Sequence, residues 1–530
     1  MPNLLIETGD ALLLETGSHL LLENSLYATP DAPLWLAEIT AYDPGTAGVI
    51  TWRFASHGYD NSGTFYPPRI ENPANVTRSM SGVEGGRINT AFSELTLFNL
   101  DDGLNDLADD YFDGRTLTLK LGYSGAAYSE FRTVLVAIVE TVAVERERLS
   151  VRLRDRAYQL DTPFSTAKYA GNNALPNGIE GLDDLKDKYK PLLFGRVALM
   201  QPVLVNTSKL IYQASVGNIE AVVNVFDAGA YLTRSDNYVS QADMEANAPL
   251  NGTYRVWPAG GCFRLGSSPF GEISCSVVEL WDYLQISAAG IIQRILQSAG
   301  YTSADWVEGD FAALNQRNAG SLGVMVNEGE TTASLLDRIC QTVGAWWGFD
   351  ALNRFRVVRF DAPSGTPIWT FTNEDIIDIE RQPDSRMPVW STLMHADLNY
   401  AVQDQQSLAG VVTLDRAGWF GLDSRDQKTE LPSVQSTRLL AEAVTYDSLF
   451  NAVSVAKAEA TRRATLYSVR RDTVTLTAGL PAASVFASID LGAVVSVQTS
   501  RLGYGAGKLF TVIGIQADFQ RDTCSLTLWG

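Results

Sequence analysis

Alternation of apolar and polar residues is the dominant pattern along much of this chain. In the stretches 116–121 and 148–154 apolar side chains occupy every second position, which is the period of a strand with one buried face. Turn residues separate further short apolar stretches between residues 34 and 160. The alternation returns near the C-terminus, at 473–477 and 526–529. The pattern therefore predicts a chain built mainly from β-strands.

Three apolar triplets open the chain, each followed by polar residues. They read LLIETG at 4–9, LLLETG at 12–17 and LLLEN at 20–24. Because side chains alternate between the two faces of a strand, three consecutive leucines cannot all face one core. The repeat predicts tight hairpins or a small stack of strands, covered on both faces by a partner subunit or by other strands of the same chain.

Helical spacing of apolar residues appears in the second half of the chain. Ser287 is placed to cap a helix over 288–298. A second helix is predicted over 331–346, followed by a strand hairpin that turns at Asn353. A third helix, with a face of small residues, is predicted over 449–466.

A chain of 530 residues exceeds the size at which one hydrophobic core stops growing, so several domains are expected. The fold class predicted is mainly β with α+β insertions, arranged as several β-barrel or sandwich domains. Five segments are predicted: a leucine-rich strand repeat (1–30), an N-terminal β domain (31–160), a second β-rich domain (161–279), an α+β domain (280–380) and a C-terminal β-barrel with one helix (381–530).

Charge argues against two classes of partner. The chain carries 41 basic and 61 acidic residues, for a net charge of −20. Such a chain repels phosphate backbones and anionic lipid surfaces, which disfavours nucleic-acid or membrane-surface binding. The sequence also shows neither a signal peptide nor an apolar run long enough to span a bilayer, so synthesis and assembly in a cytoplasm are expected.

Four cysteines lie far apart in sequence. Their spacing matches neither a metal ribbon nor a disulfide scaffold, and isolated buried thiols are the favoured interpretation, although distant thiols could converge on a metal or cluster. They are Cys262, Cys275, Cys340 and Cys524.

Candidate catalytic residues are few. The histidines are His19, His57 and His395, and none of them lies in a signature of nucleophilic catalysis. An acidic group could bind calcium or supply a glycosidase pair, but its spacing departs from calcium loops, and a solvated turn with a short helix is favoured. Its members are Asp101, Asp102, Asp106, Asp109, Asp110 and Asp113. No catalytic, cofactor-binding or metal-binding residue and no cofactor is therefore predicted.

Tryptophans could stack on the sugar rings of a cell-surface glycan. Trp346 and Trp347 end an apolar helical stretch and are more consistent with a core position, which leaves Trp257, Trp390 and Trp419 for such a surface. The glycine-rich stretches 82–86 and 503–507 lack the strand, lysine and helix of a phosphate-binding loop.

The C-terminal passages resemble hub, or tail-tip, proteins of tailed phages and gene transfer agents. Residues 489–495, 507–515 and 526–530 are similar to the closing β-barrel of that family, with Ala493 where an acidic residue is usual.

Further passages add to the resemblance in the expected order along the chain. Residues 98–104 and 111–115 resemble the loop where one sheet strand crosses to the next. The helix and hairpin at 331–358 resemble the insertion domain of hub proteins, and 190–197 resembles a stretch of phage tail proteins.

The resemblance implies a structural virion protein and no enzyme. It implies a ring-shaped, trimeric hub at the tail tip or baseplate of a siphophage-type particle, with β-barrels that continue the tail tube. The implied partners are further copies of the chain, distal tail or tail tube proteins, the tape measure protein, and fibres or a central spike. DNA would pass through the lumen without specific binding during ejection, and assembly would occur in the host bacterial cytoplasm. Two alternatives stay open: a receptor- or glycan-binding tail protein and a cell-wall-degrading tail enzyme.

Overall fold

The computed structural model describes residues 33–80, 85–382 and 388–530. The leucine triplets lie outside these ranges, and their pairing stays a prediction. Within the same ranges no helix is long and apolar enough to cross a membrane.

Strands dominate the first part of the described chain, as the alternation predicts. In order they are β1 (Pro33–Asp43), β2 (Gly48–Ala55), β3 (Tyr59–Asn61), β4 (Thr64–Tyr66), β5 (Ile70–Pro73), β6 (Val76–Met80), β7 (Gly86–Phe92), β8 (Leu95–Phe98), β9 (Thr116–Tyr123), β10 (Arg132–Val144) and β11 (Arg148–Arg154).

Short strands and the first helices make up the middle of the chain. They are β12 (Leu193–Met200), β13 (Val203–Asn206), β14 (Ile211–Gln213), β15 (Ala221–Asp227), β16 (Ala230–Tyr231), β17 (Thr233–Asn237), α1 (Gln241–Ala246), β18 (Thr253–Trp257), β19 (Cys262–Leu265), β20 (Ile273–Val278), α2 (Ala288–Ser298), α3 (Glu308–Arg317) and β21 (Gly323–Met325).

The last part mixes helices and strands. It comprises α4 (Thr332–Val343), β22 (Ala345–Phe349), β23 (Phe355–Arg359), β24 (Trp369–Phe371), β25 (Ile376–Arg381), β26 (Val389–Met394), α5 (Leu414–Gly421), β27 (Gln427–Glu430), α6 (Pro432–Thr437), β28 (Glu442–Tyr446), α7 (Val453–Ser468), β29 (Thr473–Ala478), α8 (Ala482–Ser488), β30 (Val494–Val497), β31 (Lys508–Asp518) and β32 (Thr523–Trp529).

A seven-stranded sheet forms most of the N-terminal part, with the order β2-β1-β9-β10-β11-β8-β5. The alternation of β9 and β11 is the one predicted: Leu117, Leu119, Leu149, Val151 and Leu153 are buried, and their polar neighbours lie on the other face. Burial of one face is what fixes the register of such strands.

A ten-stranded sheet joins remote parts of the chain. Its main path is β23-β22-β7-β6-β31-β32-β29-β25, and β24 and β30 extend it beside β31. It therefore takes strands from the predicted segments 31–160, 280–380 and 381–530. The division into five segments stays a prediction, and the strand pairing shows that three of them share one sheet.

Six strands of that sheet curl into an incomplete barrel in the order β24-β30-β31-β32-β29-β25. Its two outer strands, β24 and β25, follow one another in sequence across a turn in which Asp375 N donates to Thr372 O at 3.1 Å. The barrel and the seven-stranded sheet share one hydrophobic core, to which Leu119 and Val151 contribute from one sheet and Leu476 and Val512 from the other. The predicted mainly β class, with barrel and sandwich packing, is confirmed.

The middle of the chain folds around separate cores. Two five-stranded sheets, β16-β15-β20-β12-β21 and β13-β14-β19-β18-β17, pack around Val225, Phe263 and Val277. Two small sheets, β27-β26-β28 and β3-β4, complete the strand pairing in the described ranges.

The helices match their predicted positions with two corrections at the ends. Ser287 Oγ accepts from Gly290 N and caps α2, which begins and ends as predicted. The second helix ends at Val343 and not at residue 346, because Gly344 adopts a left-handed conformation (φ 65°) that terminates it. The third begins at Val453 and not at residue 449.

Candidate assembly surface

Three strands at sheet margins carry large apolar side chains that the described chain leaves exposed. We call β2, β24 and β25 the margin strands: β2 pairs with β1, β24 with β30 and β25 with β29, each on one side. The exposed fraction is 63% for Val49 on β2, 43% for Trp369 on β24 and 65% for Ile377 on β25. Unpaired strand edges with apolar side chains are a template for pairing with another chain.

Charged side chains accompany these apolar residues on β25. Asp378 and Glu380 lie exposed beside Ile377. Arg381 forms an ion pair with Asp472 at 2.5 Å. Charges on an outer strand reduce non-specific edge-to-edge aggregation. A strand that pairs with β25 therefore needs side chains that complement the carboxylates of Asp378 and Glu380.

Ion pairs between remote segments join the ten-stranded sheet to helix α3 and to the loop before β30. We call Arg78, Asp310, Arg356 and Asp490 the balanced group, because two guanidinium groups face two carboxylates. Asp490 binds Arg78 of β6, and its other oxygen accepts from Arg356 of β23 at 2.6 Å. Arg356 also forms a two-pronged contact with Asp310 of α3.

Burial and charge act in opposite directions on the two carboxyls of this group. Burial would raise the pKa of Asp490, but the guanidinium groups of Arg78 and Arg356 outweigh it and hold that pKa below its ordinary value. Burial dominates at Asp310, whose pKa is raised in spite of Arg356. Asp490 is therefore the acid whose charge matters most for joining β6 to β23.

The four cysteines are buried, as predicted, and each lies in a different hydrophobic cluster. Burial raises the pKa of Cys262 and of Cys524 to about 12. In the described ranges no three or more histidine, cysteine, aspartate or glutamate side chains come together in a metal-binding arrangement.

The histidines differ in their surroundings. His19 lies outside the described residues, and His57 is exposed. His395 Nδ1 lies 2.7 Å from Asp426 Oδ1 and 3.1 Å from Ser424 Oγ. In a catalytic triad the acid and the nucleophile occupy different ring nitrogens. Here both meet Nδ1, so this contact orients the ring without activating the serine.

The acidic stretch 101–113 is spread over several contacts. Asp101 forms a two-pronged ion pair with Arg69 at 2.5 and 2.7 Å, and this contact lowers the pKa of Asp101. Asp110 accepts from Trp52 Nε1 at 2.7 Å. Residues 105–109 form a single short 3₁₀ turn. The predicted turn with a short helix is confirmed.

Tryptophan positions divide between core and surface. Trp346 and Trp347 are buried, as predicted, and Trp347 Nε1 donates to Asp337 at 2.7 Å. Trp257, Trp390 and Trp419 are only half-exposed. Sequence reasoning missed Trp281 and Trp369, which are 57% and 43% exposed. The usable signal at Trp281 was its place in the connection between β20 and the Ser287 cap.

No family model matches this chain, and no curated protein matches it. Similar solved structures include a tail protein from Neisseria meningitidis (11% identity, TM-score 0.40), which covers 93% of this chain and 96% of its own. The prophage MuSo2 43 kDa tail protein from Shewanella oneidensis is 9% identical (TM-score 0.37), over 94% of this chain and 98% of its own.

A chain from the virion of a native gene transfer agent particle is also similar (12% identity, TM-score 0.37), over 70% of this chain and 91% of its own. These structural neighbours are tail and virion proteins, the class that the sequence passages resemble. Their TM-scores lie below 0.5, so they describe a general likeness and nothing of a site.

Proposed function

We propose that this protein is a structural component of a phage-type tail tip, which assembles through its margin strands into a ring-shaped hub. The observation that carries the proposal is the exposure of Val49, Trp369 and Ile377 on strands with an open side, in two sheets that share one core. Ring closure pairs such edges with copies of the same chain and leaves none open.

The resemblance of the C-terminal strands to hub proteins supplies the finer part of the proposal. In it the ring is a trimer at the tail tip, its barrels continue the tail tube, and DNA passes through the lumen. Tail tube and tape measure proteins contact one end, and fibres or a spike contact the other. The net charge of −20 suits a wall past which DNA slides without binding.

The first experiment measures the mass and shape of the purified full-length chain by mass photometry and electron microscopy. We expect a ring-shaped oligomer with a channel wide enough for duplex DNA. A particle that stays monomeric at every concentration and shows no ring contradicts the proposal.

A matched pair of variants tests the margin strands. Val49→Asp places a charge on the open side of β2 and is expected to shift the oligomer towards monomer. Val469→Asp is the control, because Val469 is also exposed (50%) but follows helix α7 and lies on no strand. Equal dissociation in both variants would remove β2 from the contact.

A second candidate function is binding of a cell-surface glycan, and one loop favours it. Trp281 and Tyr283 are 57% and 74% exposed, at the start of and within the loop that leads to α2. Leu284 N donates to Asp282 Oδ1 at 3.0 Å, which fixes the turn. Exposed aromatic faces held in a fixed turn can stack on sugar rings.

Glycan-array binding by the wild-type chain, lost in Trp281→Ala and kept in Trp369→Ala, would establish this second function. Binding that survives Trp281→Ala would exclude this loop.

A further inference from the structure

Arginines outnumber acids where helix α7 meets the end of strand β23. Four guanidinium groups meet two carboxylates, which leaves an excess of two positive charges. We call this set the arginine-rich group. It consists of Arg317, Arg359, Arg462 and Arg463 with Asp361 and Glu459.

The buried acid of this group is already saturated. Glu459 accepts from Arg463 Nε at 2.8 Å, from Arg462 Nη2 at 2.6 Å and from Arg359 Nη2 at 3.0 Å. Asp361 is shared among Arg462, at 2.9 Å, Arg317, at 3.5 Å, and Arg359, at 3.8 Å. Neither carboxylate can neutralise a further cation, and an unpaired charge is costly where water is excluded.

A cavity of about 440 Å³ opens onto this excess charge. Arg317, Arg359 and Arg462 line it, together with Ser454 and one carboxylate, that of Glu459. The Arg359 side chain is only 5% exposed, and its Nε donates no hydrogen bond within the described structure. That Nε lies 3.8 Å from Asp361 Oδ1, beyond hydrogen-bond distance. The cavity wall therefore carries three guanidinium groups, one of which is incompletely hydrogen-bonded.

The N-terminus of helix α7 borders the same cavity. Ser454 and Val455 of its first turn line the cavity wall, and no side chain caps the helix at Ala452. Val455 N donates to Ala452 O at 3.1 Å, so the N–H groups available to a ligand are those that precede it in the turn. The first turn of a helix also carries the positive end of the helix dipole. Both features favour a negative ligand at this position.

From this arrangement we infer that the cavity between Arg317, Arg359, Arg462 and the first turn of α7 is a binding site for an oxyanion of the phosphate class. Two negative charges offset the excess of two positive charges. Guanidinium groups pair with tetrahedral oxyanions through parallel hydrogen bonds, and Ser454 Oγ supplies a further donor at the open side.

Isothermal titration of the full-length protein with inorganic phosphate, at constant pH and ionic strength, tests the site. We expect saturable binding in the millimolar range or tighter, accompanied by a rise of the unfolding temperature over chloride. Wild-type protein without saturable heat would overturn the proposal.

Two variants locate the ion. Arg317→Gln removes a half-exposed guanidinium and is expected to weaken phosphate binding about tenfold, as loss of a charge-assisted hydrogen bond does. Ser454→Asp places a carboxylate at the start of α7, which should abolish phosphate binding while keeping or raising the unfolding temperature in chloride. Retention of wild-type affinity by either variant would overturn the assignment.

Arg425→Gln is the matched control, because Arg425 is exposed to a similar degree and pairs with Asp397 outside the cavity. Phosphate also stabilises proteins by exclusion from their surface, and that effect is equal in the control and in the wild type. Glycerol 3-phosphate is titrated in parallel: tighter binding than inorganic phosphate assigns the site to phosphate esters, and weaker binding assigns it to the free ion.

Discussion

The balanced group and the arginine-rich group each contain an arginine of β23, and they differ in net charge. Arg356 belongs to the balanced group, in which two arginines and two aspartates are equal in number. Arg359 belongs to the arginine-rich group, in which Glu459 serves three arginines at once. Strand β23 thus contributes one arginine to a neutral group and, three residues later, another arginine to a group with excess positive charge.

The difference separates a structural role from a binding role. The balanced group joins β6, α3, β23 and the loop before β30, and its two positive charges are matched by two negative ones. The arginine-rich group joins α7 to the hairpin and keeps a net positive charge, which a bound anion can neutralise. A buried ion pair adds little net stability, whereas a buried ion that loses its partner is strongly destabilising. The loss of unfolding free energy on replacing one acid therefore measures how much its arginine partners rely on that carboxylate.

Glu459→Gln is expected to have the largest effect. It leaves three arginines without their shared carboxylate in a buried position, and loss of about 3–5 kcal/mol of unfolding free energy is the order of magnitude for such a change. Urea unfolding followed by tryptophan fluorescence measures it. Glu374→Gln, at an exposed turn residue, is the control and should unfold as the wild type does.

Asp490→Asn is expected to cost less, about 2–3 kcal/mol, because its side chain is partly exposed and Asp310 still pairs with Arg356. The same urea titration applies. Asp518→Asn is the matched control: its carboxyl is similarly exposed, and its partner Arg521 lies at the surface. A cost as large as that of Glu459→Gln would contradict the distinction between the two groups.

Acid should weaken the arginine-rich group in particular. Burial would raise the pKa of Glu459, but Arg462, Arg463 and Arg359 outweigh it and hold that pKa below the ordinary value of 4.5. Because the folded pKa is depressed, this stabilisation is complete above pH 4.5 and is lost as the pH falls through the folded pKa. Between pH 7 and pH 3 the unfolding temperature should fall more steeply in the wild type than in Glu459→Gln. Parallel curves would show that another group carries the acid dependence.

Local signals were sufficient for many elements. The strands β9 and β11 and the helix α2 follow directly from alternation and from the Ser287 cap, since each depends on residues near one another in sequence. The end of α4 was missed because its apolar spacing continues past Gly344 into β22, although a glycine at that point is a stop signal.

Long-range pairing could not be read from the chain. Arg78 and Asp490 are 412 residues apart, and Arg359 and Glu459 are 100 apart. Helix α7 was predicted from its alanine face, and nothing in its spacing indicates that Glu459 and Arg463 are buried with it. The margin strands share this property, because exposure of Val49 and Ile377 depends on which strands pair across the sheets.

The smallest change in unfolding free energy is expected for Arg317→Gln, at the solvent-exposed side of the arginine-rich group. Arg317 is half-exposed, and its contact with Asp361 is long, at 3.5 Å. Exposed ion pairs contribute about 0–1 kcal/mol. Removal of one cation also relieves repulsion among the remaining arginines, so Arg317→Gln should change the unfolding free energy in chloride by less than about 1 kcal/mol. Arg356→Gln on β23 should lower the unfolding free energy about as much as Asp490→Asn does, because it leaves Asp310 and Asp490 without that partner. Urea titrations of the two variants in one buffer make the comparison direct. Equal losses of unfolding free energy would mean that Arg317 is as fully paired as Arg356, which would leave no excess positive charge for an anion.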